Sequence, residues 1–361
     1  MLEAYGHGGD LLTARTLYGR SDFLDFSSNM NPYGPPRAVG GIIGSYDRWI
    51  SAYPDPAVRE LRLKLARQNG IDEASILVGN GAAELIDLVV RLLTPARTAL
   101  AEPAFGEYGD AVRRAGGSIM PLKLHEERQF VLAASQLSEN PQPPDLWFLG
   151  HPNNPTGQLL PPETIAGLLK SGRPVVLDEA FIDFLPDADR YSLIKQAASS
   201  DGLYVIRSLT KFYAIPGIRL GYIVASPDAI AALRELQVPW SVNSLAQQIG
   251  CAVLDDIPYA DKTREWLAAE LPWLTERLRE LGLTVYSGVA NYVLVRLPMQ
   301  GFWTAAALQQ AMGKQGVLIR DASRFARLTD RFIRLAVKSR SENEAMLAVL
   351  AGCLREEAQP G

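Results

Sequence analysis

Residues 76–93 read ILVGNGAAELIDLVVRLL. Ile76, Leu77 and Val78 make a short apolar run that stops at Gly79, the mark of a buried strand, and residues 82–93 continue with helical apolar spacing. Between them lies Gly79-Asn80-Gly81-Ala82-Ala83-Glu84, a turn of small residues opening a helix. Free backbone N–H groups and the positive end of a helix dipole would make it a cradle for an anion such as a phosphate. The alternative is a plain tight strand-to-helix turn.

The same alternation extends outward in both directions. Residues 57–68 put Val58, Leu61 and Leu65 on one face of an amphipathic helix. Thr98–Ala101, Ser118–Leu122, Leu146–Leu149, Val175–Leu177 and Tyr204–Ile206 are further short apolar runs, separated by helical or turn-rich stretches. Strands alternating with helices predict an α/β fold with a mainly parallel sheet, in which ligands sit beyond the carboxyl ends of the strands. From about residue 242 the pattern changes. Two helices are expected over 244–281, strands at 283–286, 291–297, 316–319 and 332–337, and helices near 303–313 and 341–355. The expected organisation is an extended arm over residues 1–35, a large domain over 36–243 and a small α+β domain over 244–361.

Composition narrows the function. The 361 residues are 47% hydrophobic and 21% charged, with a net charge of 36 − 40 = −4. That is a globular chain, too acidic for an electrostatic nucleic-acid binder. Two cysteines, Cys251 and Cys353, cannot build a disulfide framework, and the three histidines are not at metal-ligand spacing, so no metal site is expected. With no signal peptide and no long charge-free apolar run, a cytoplasmic protein without membrane contact is expected.

Four strand ends carry chemistry. The first is the glycine turn at 79–84. After Leu146–Leu149 comes His151-Pro152-Asn153-Asn154-Pro155-Thr156-Gly157, a loop stiffened by prolines that presents two amides. After Val175–Leu177 comes Asp178-Glu179-Ala180-Phe181. Asp178 is either a helix cap or a buried carboxylate that wants a cation such as a protonated ring nitrogen. After Tyr204–Ile206 comes Ser208-Leu209-Thr210-Lys211, with Arg219 eight positions on. A lone lysine says little, but an amine beside hydroxyls and an arginine can form a Schiff base next to a bound phosphate. The nearby cation also favours the neutral, nucleophilic amine.

In this order, the four segments resemble the fold-type I pyridoxal-phosphate enzymes, in the branch that holds aspartate aminotransferase and histidinol-phosphate aminotransferase. The resemblance covers nearly the whole chain. It implies Lys211 as the Schiff-base lysine, Asp178 as partner of the cofactor's ring nitrogen and Asn154 as a contact of its ring hydroxyl. Tyr108, in Pro103-Ala104-Phe105-Gly106-Glu107-Tyr108, matches the aromatic that stacks on the ring. Ser208, Arg219 and the backbone of Ala82 and Ala83 match the cofactor phosphate site. Tyr53, in Tyr53-Pro54-Asp55-Pro56, matches the tyrosine that reaches the neighbouring subunit's cofactor, which implies a homodimer with active sites at the interface. Arg334, in Phe332-Ile333-Arg334-Leu335, matches the arginine that holds a substrate carboxylate.

Two features separate this chain from a plain aminotransferase. Phe181 stands where that branch has a tyrosine, and it cannot donate a hydrogen bond. The arm carries His7-Gly8-Gly9, either a grip for a second phosphate or a histidine in a loose terminus. With Asp25-Phe26-Ser27-Ser28-Asn29-Met30-Asn31-Pro32, Trp240-Ser241-Val242-Asn243 and Ile319-Arg320-Asp321, the arm is similar to that of the threonine-phosphate decarboxylase family of cobalamin biosynthesis. That resemblance implies pyridoxal 5'-phosphate as cofactor, O-phospho-L-threonine as substrate, and His7, Gly8, Asn29, Asn154, Arg320 and Arg334 as its ligands. It also implies loss of carbon dioxide to give (R)-1-amino-2-propanol phosphate. The alternatives are a histidinol-phosphate aminotransferase and, more remotely, a non-catalytic cofactor-binding regulator.

Overall fold

Alternation of side chains along each strand decides how the large sheet is covered. In the computed structural model, which describes residues 2–3, 7–139, 141–286, 288–299 and 301–356, Leu77, Phe148, Val176, Ile206 and Ile223 face one buried layer. Their neighbours Val78, Trp147, Leu149, Leu177, Val205 and Val224 face the other. Both faces are apolar, as a parallel sheet flanked by helices requires. Residues 1 and 4–6 of the expected arm and 357–361 of the expected C-terminal domain lie outside the described residues.

The strands in chain order are β1 (Leu24–Asp25), β2 (Ile76–Gly79), β3 (Arg97–Glu102), β4 (Ser118–Lys123), β5 (Leu146–Gly150), β6 (Val175–Asp178) and β7 (Leu203–Ser208). They continue as β8 (Gly221–Val224), β9 (Thr284–Tyr286), β10 (Tyr292–Arg296), β11 (Val317–Leu318), β12 (Arg320–Asp321) and β13 (Phe332–Ala336). The 7-stranded sheet runs β2-β8-β7-β6-β5-β3-β4, and a 4-stranded sheet runs β12-β13-β10-β9. Helices Ala82–Leu93, Gly106–Arg114 and Pro227–Leu236 cover one face of the large sheet. Arg59–Asn69 and Pro162–Lys170 lie on the other. Leu61 and Leu65 form the buried face of Arg59–Asn69 as expected, whereas Val58, also buried, precedes the helix at φ 49° and is not on its face.

The structure departs from the sequence reading in two places. β8, inside the segment that follows Lys211, is antiparallel to both β2 and β7. Between β7 and β8 there is one short turn of helix, Pro216–Ile218, and no crossover helix of the kind a parallel strand needs. The first 35 residues are not simply extended. Leu11–Tyr18 is a helix, capped by the Asp10 carboxylate on the Thr13 N–H (3.1 Å) and ended by Gly19 in the left-handed region. β1 pairs in parallel with β11, and the Phe26 carbonyl accepts from Ala336 N–H at 2.9 Å. Asn31 donates to the Phe212 carbonyl and to Thr263 Oγ1, both at 2.8 Å. The arm is therefore stitched to the small sheet and to the turn that carries Lys211.

Phe148 is fully buried at the centre of β5 and stacks on Tyr108 at 4.4 Å between ring centroids. Phe148→Ala is expected to cost about 3–5 kcal/mol of stability, read as a lower midpoint in chemical denaturation. An unchanged midpoint would mean that the layer is not packed as described.

Candidate active site

A cavity of about 720 Å³ opens where the parallel strands end, roofed by the arm and by β12 and β13. Phe181 and Lys211, just past β6 and β7, and Asn154, past β5, reach its wall, joined by Ala83, Arg219, Arg320, Arg334, His7, Gly8 and Asn29. Ala82, Asp178 and Ser208 lie just behind this wall, next to Ala83, Phe181 and Lys211, and two other expected residues, Tyr108 and Tyr53, are placed differently, as described below.

One wall is built for an anion. Helix Ala82–Leu93 begins with no side-chain cap, leaving its first N–H groups to other acceptors. Gly81, at φ 79°, sits under Arg219, and a Cβ there would collide with the guanidinium. Lys211 Nζ donates to Ser208 Oγ at 3.3 Å, and Ser208 Oγ shares a 2.8 Å hydrogen bond with Thr210 Oγ1. Burial pushes the Lys211 amine below its ordinary pKa. The cations of Arg219 and Arg334 push the same way, and Asp178 opposes them. The amine is thus biased toward its neutral, nucleophilic form.

Asp178 is buried, and burial raises its pKa. Its two oxygens accept from the Tyr108 hydroxyl (2.7 Å) and the Ala180 N–H (2.9 Å). Tyr108 differs from its expected place as a ring-stacking face: its ring lies on Phe148 and its hydroxyl on Asp178. A buried carboxylate demands a donor, and this phenol supplies it. Behind the sheet, Glu179 accepts from Arg207 Nε at 2.9 Å, while Arg207 also reaches Asp183 (2.6 Å) and Ser192 (2.8 Å). Since neighbouring residues point to opposite faces, this buried network fixes the strand ends that carry Asp178 and Ser208 beside Lys211, just behind the cavity wall.

The other wall is cationic. Arg320 and Arg334 are directly opposite in the β12–β13 ladder. Arg334 donates to Asn154 Oδ1 (2.7 Å) and to the Ser27 carbonyl (2.8 Å). Its guanidinium lies over Tyr292 at 5.4 Å and Phe325 at 5.9 Å from the ring centroids. Burial, reinforced by Arg320, pushes its pKa down to about 10. His7 is 3.0 Å from Glu107 Oε1 and is exposed on its outer side. Gly8 packs so closely on the Ser27 carbonyl that a Cβ would collide with it. Asn29 is buried, and its side-chain oxygen has no hydrogen-bond partner among the described residues.

Tyr53 is the second residue placed differently. It is 85% exposed, packs with its ring tilted against Trp240 at 5.1 Å and lies outside the cavity. Sequence reading also missed Glu107, which lies inside the 103–108 segment, and Phe325, whose position between two arginines leaves no mark in sequence. Among the described residues, no group of three or more His, Cys, Asp or Glu side chains could hold a metal ion. No helix there is long and apolar enough to cross a membrane.

Residues 21–350 match the family described as aminotransferase class I and II. The chain belongs to this family. It is 40% identical to a threonine-phosphate decarboxylase of Salmonella typhimurium, over 96% of each chain. Its fold is similar to that of the L-threonine-O-3-phosphate decarboxylase from Porphyromonas gingivalis, with TM-score 0.80, 27% identity, and 91% of this chain and 99% of that one covered. It is also similar to the histidinol-phosphate aminotransferase from Clostridium acetobutylicum, with TM-score 0.85, 29% identity, and 92% and 99% covered.

The cofactor implied by this aminotransferase family is pyridoxal 5'-phosphate, and the residues present fit it. The uncapped helix start at Ala82 and Ala83, with Ser208 and Arg219, would hold its phosphate. The buried Asp178 carboxylate would hold a protonated ring nitrogen, Asn154 its hydroxyl, and Lys211 would attach covalently. Lys211→Ala is expected to abolish the visible absorbance of the cofactor-loaded protein and the covalent label left by borohydride reduction. Retention of either signal would remove Lys211 from this role.

Proposed function

We propose that this chain converts O-phospho-L-threonine to (R)-1-amino-2-propanol phosphate and carbon dioxide, in cobalamin biosynthesis. The observation that carries the reading is the Arg320–Arg334 pair. Like charges directly opposite on antiparallel strands repel and destabilise the ladder. Two buried guanidiniums facing one cavity suit a ligand with two anionic groups, and phosphothreonine carries a carboxylate and a phosphate. The 40% identity to a threonine-phosphate decarboxylase supports the same substrate.

Roles follow from position. Arg334, braced by Asn154 and Ser27, takes the carboxylate. Arg320, His7, the Gly8 backbone and Asn29 take the phosphate. When bound, the cofactor supplies an electron sink to whichever Cα bond stands perpendicular to its ring. Gripping the substrate at both ends lets Arg320 and Arg334 select the Cα–carboxylate bond. Lys211 takes up a proton that the substrate's ammonium group brings in and then delivers it to Cα, a transfer its lowered pKa favours. Phe181 replaces a hydroxyl donor with a ring edge-on to Tyr292 (5.0 Å), which favours this reading over a histidinol-phosphate aminotransferase.

The enzyme is further proposed to act as a cytoplasmic homodimer, in which Tyr53 reaches the neighbouring subunit's cofactor phosphate. Ile50, Tyr53, Val238 and Trp240 are exposed apolar side chains, and Tyr53 and Trp240 form one patch of the kind that marks association surfaces.

Cofactor-loaded protein given O-phospho-L-threonine is expected to release carbon dioxide and aminopropanol phosphate in equal amounts. Glutamate formation from histidinol phosphate and 2-oxoglutarate, with no carbon dioxide from phosphothreonine, would overturn the proposal. Arg334→Ala should cut kcat/KM by about 10–100-fold, since hydrogen bonds to charged groups contribute about 1.5–3 kcal/mol. For the intact protein, KM for phosphothreonine should rise as pH climbs past about 10, where free Arg334 loses its charge. A flat KM across that range would mean that Arg334 keeps its charge in the free site.

A further inference from the structure

Arg320 and Arg334 are held by partners of different chemistry. Arg334 is braced by two neutral acceptors, Asn154 Oδ1 and the Ser27 carbonyl. Arg320 instead has an acid: Glu3 Oε2 lies 2.8 Å from its Nη1, and the side chains are 1% and 5% exposed. Arg320 lines the cavity and Glu3 does not, so the carboxylate holds the guanidinium from its far side. Glu3 is itself anchored. Its carbonyl accepts from Arg324 Nη1, and Leu2 packs with Ala14 and Leu318 beside the β11–β12 corner. Nearby, Gln309 ties the Ile319 carbonyl at 2.8 Å, next to Arg320 in the chain.

We infer that Glu3 is a positioning residue for anion recognition: it fixes Arg320 in the cavity wall beside Arg334 before ligand arrives. The inference rests on reading this cavity as the site of a phosphorylated amino acid. Three features argue for positioning rather than for a carboxylate that merely fills the ligand's place. Glu3 is outside the cavity lining, so an entering anion need not displace it. It acts on both arginines, easing the repulsion that lowers the Arg334 pKa. And Phe325 receives the Arg320 guanidinium on its face at 5.6 Å, so ring and carboxylate both help to order this long side chain. A guanidinium already ordered costs less to engage, so affinity is gained without a new contact to the ligand.

The test compares the cofactor-loaded protein with its Glu3→Gln and Glu3→Asp variants. Inorganic phosphate binding is measured by calorimetry, KM and kcat with O-phospho-L-threonine, and melting temperature and cofactor absorbance on the same samples. Glu3→Gln is expected to weaken phosphate binding and raise KM, each about tenfold, while kcat stays within about twofold and cofactor absorbance is unchanged. Glu3→Asp, which keeps the charge, should recover part of the affinity, and it carries the test if Glu3→Gln does not fold. Equal or tighter phosphate binding by folded Glu3→Gln would overturn the inference, and tighter binding would make Glu3 a competitor of the ligand. A parallel fall in kcat and cofactor content would reduce it to a structural contact. Should the unmodified protein release no carbon dioxide from phosphothreonine, the functional reading fails alone, because the inorganic-phosphate measurement still judges Glu3.

Discussion

The guanidinium of Arg334 is where three separate pieces of chain meet. It rises from β13 of the small sheet, donates to Asn154 in the loop after β5, and donates to the Ser27 carbonyl in the arm. Each bond alone is an ordinary charge-assisted contact. Together they fix how the arm and the small sheet stand over the strand ends of the large sheet. Burying the guanidinium against Tyr292 and Phe325, with Arg320 opposite, depresses its pKa and makes the free site electrostatically costly. Under the proposed function an anionic ligand would repay that cost, so that the joint that assembles the cavity would also be the group that recognises what enters it.

A second buried constraint works from the opposite face of the sheet. Arg207 and Glu179 immediately flank Ser208 and Asp178, and their ion pair ties β6 to β7 with Asp183 and Ser192 completing the network. A buried pair of this kind is weak evidence of net stability, but breaking it would leave an uncompensated charge. Its consequence is positional. Two strand ends are locked in register, and the residues that alternate to the other face, an acid and a hydroxyl, inherit that rigidity.

Much of this was legible in the residues. The apolar runs that became β2 to β7 are short, bounded and regular, and the helix expected at 82–93 is found at Ala82–Leu93. The site residues after those strands converge because the carboxyl ends of parallel strands share one edge of the sheet. Tyr108, by contrast, sits within a readable motif, yet its hydroxyl partner lies 70 positions away on Asp178. The helix Leu11–Tyr18 was hidden by a composition rich in glycine, asparagine and proline around it, although Asp10 and Gly19 are ordinary start and stop signals.

Local pattern, then, determined the α/β class, the order of the strands along the chain and the motif residues Asp178, Asn154, Lys211 and Arg219, because each depends on spacing or on neighbours within a few positions. Tertiary structure alone decided the pairing of Glu3 with Arg320 across 317 positions, the meeting of Arg334 with Asn154 and Ser27, and the seating of two arginines on Phe325. Those contacts exist only once desolvation forces buried charges and polar groups to find partners, and nothing in local spacing encodes which partner is within reach.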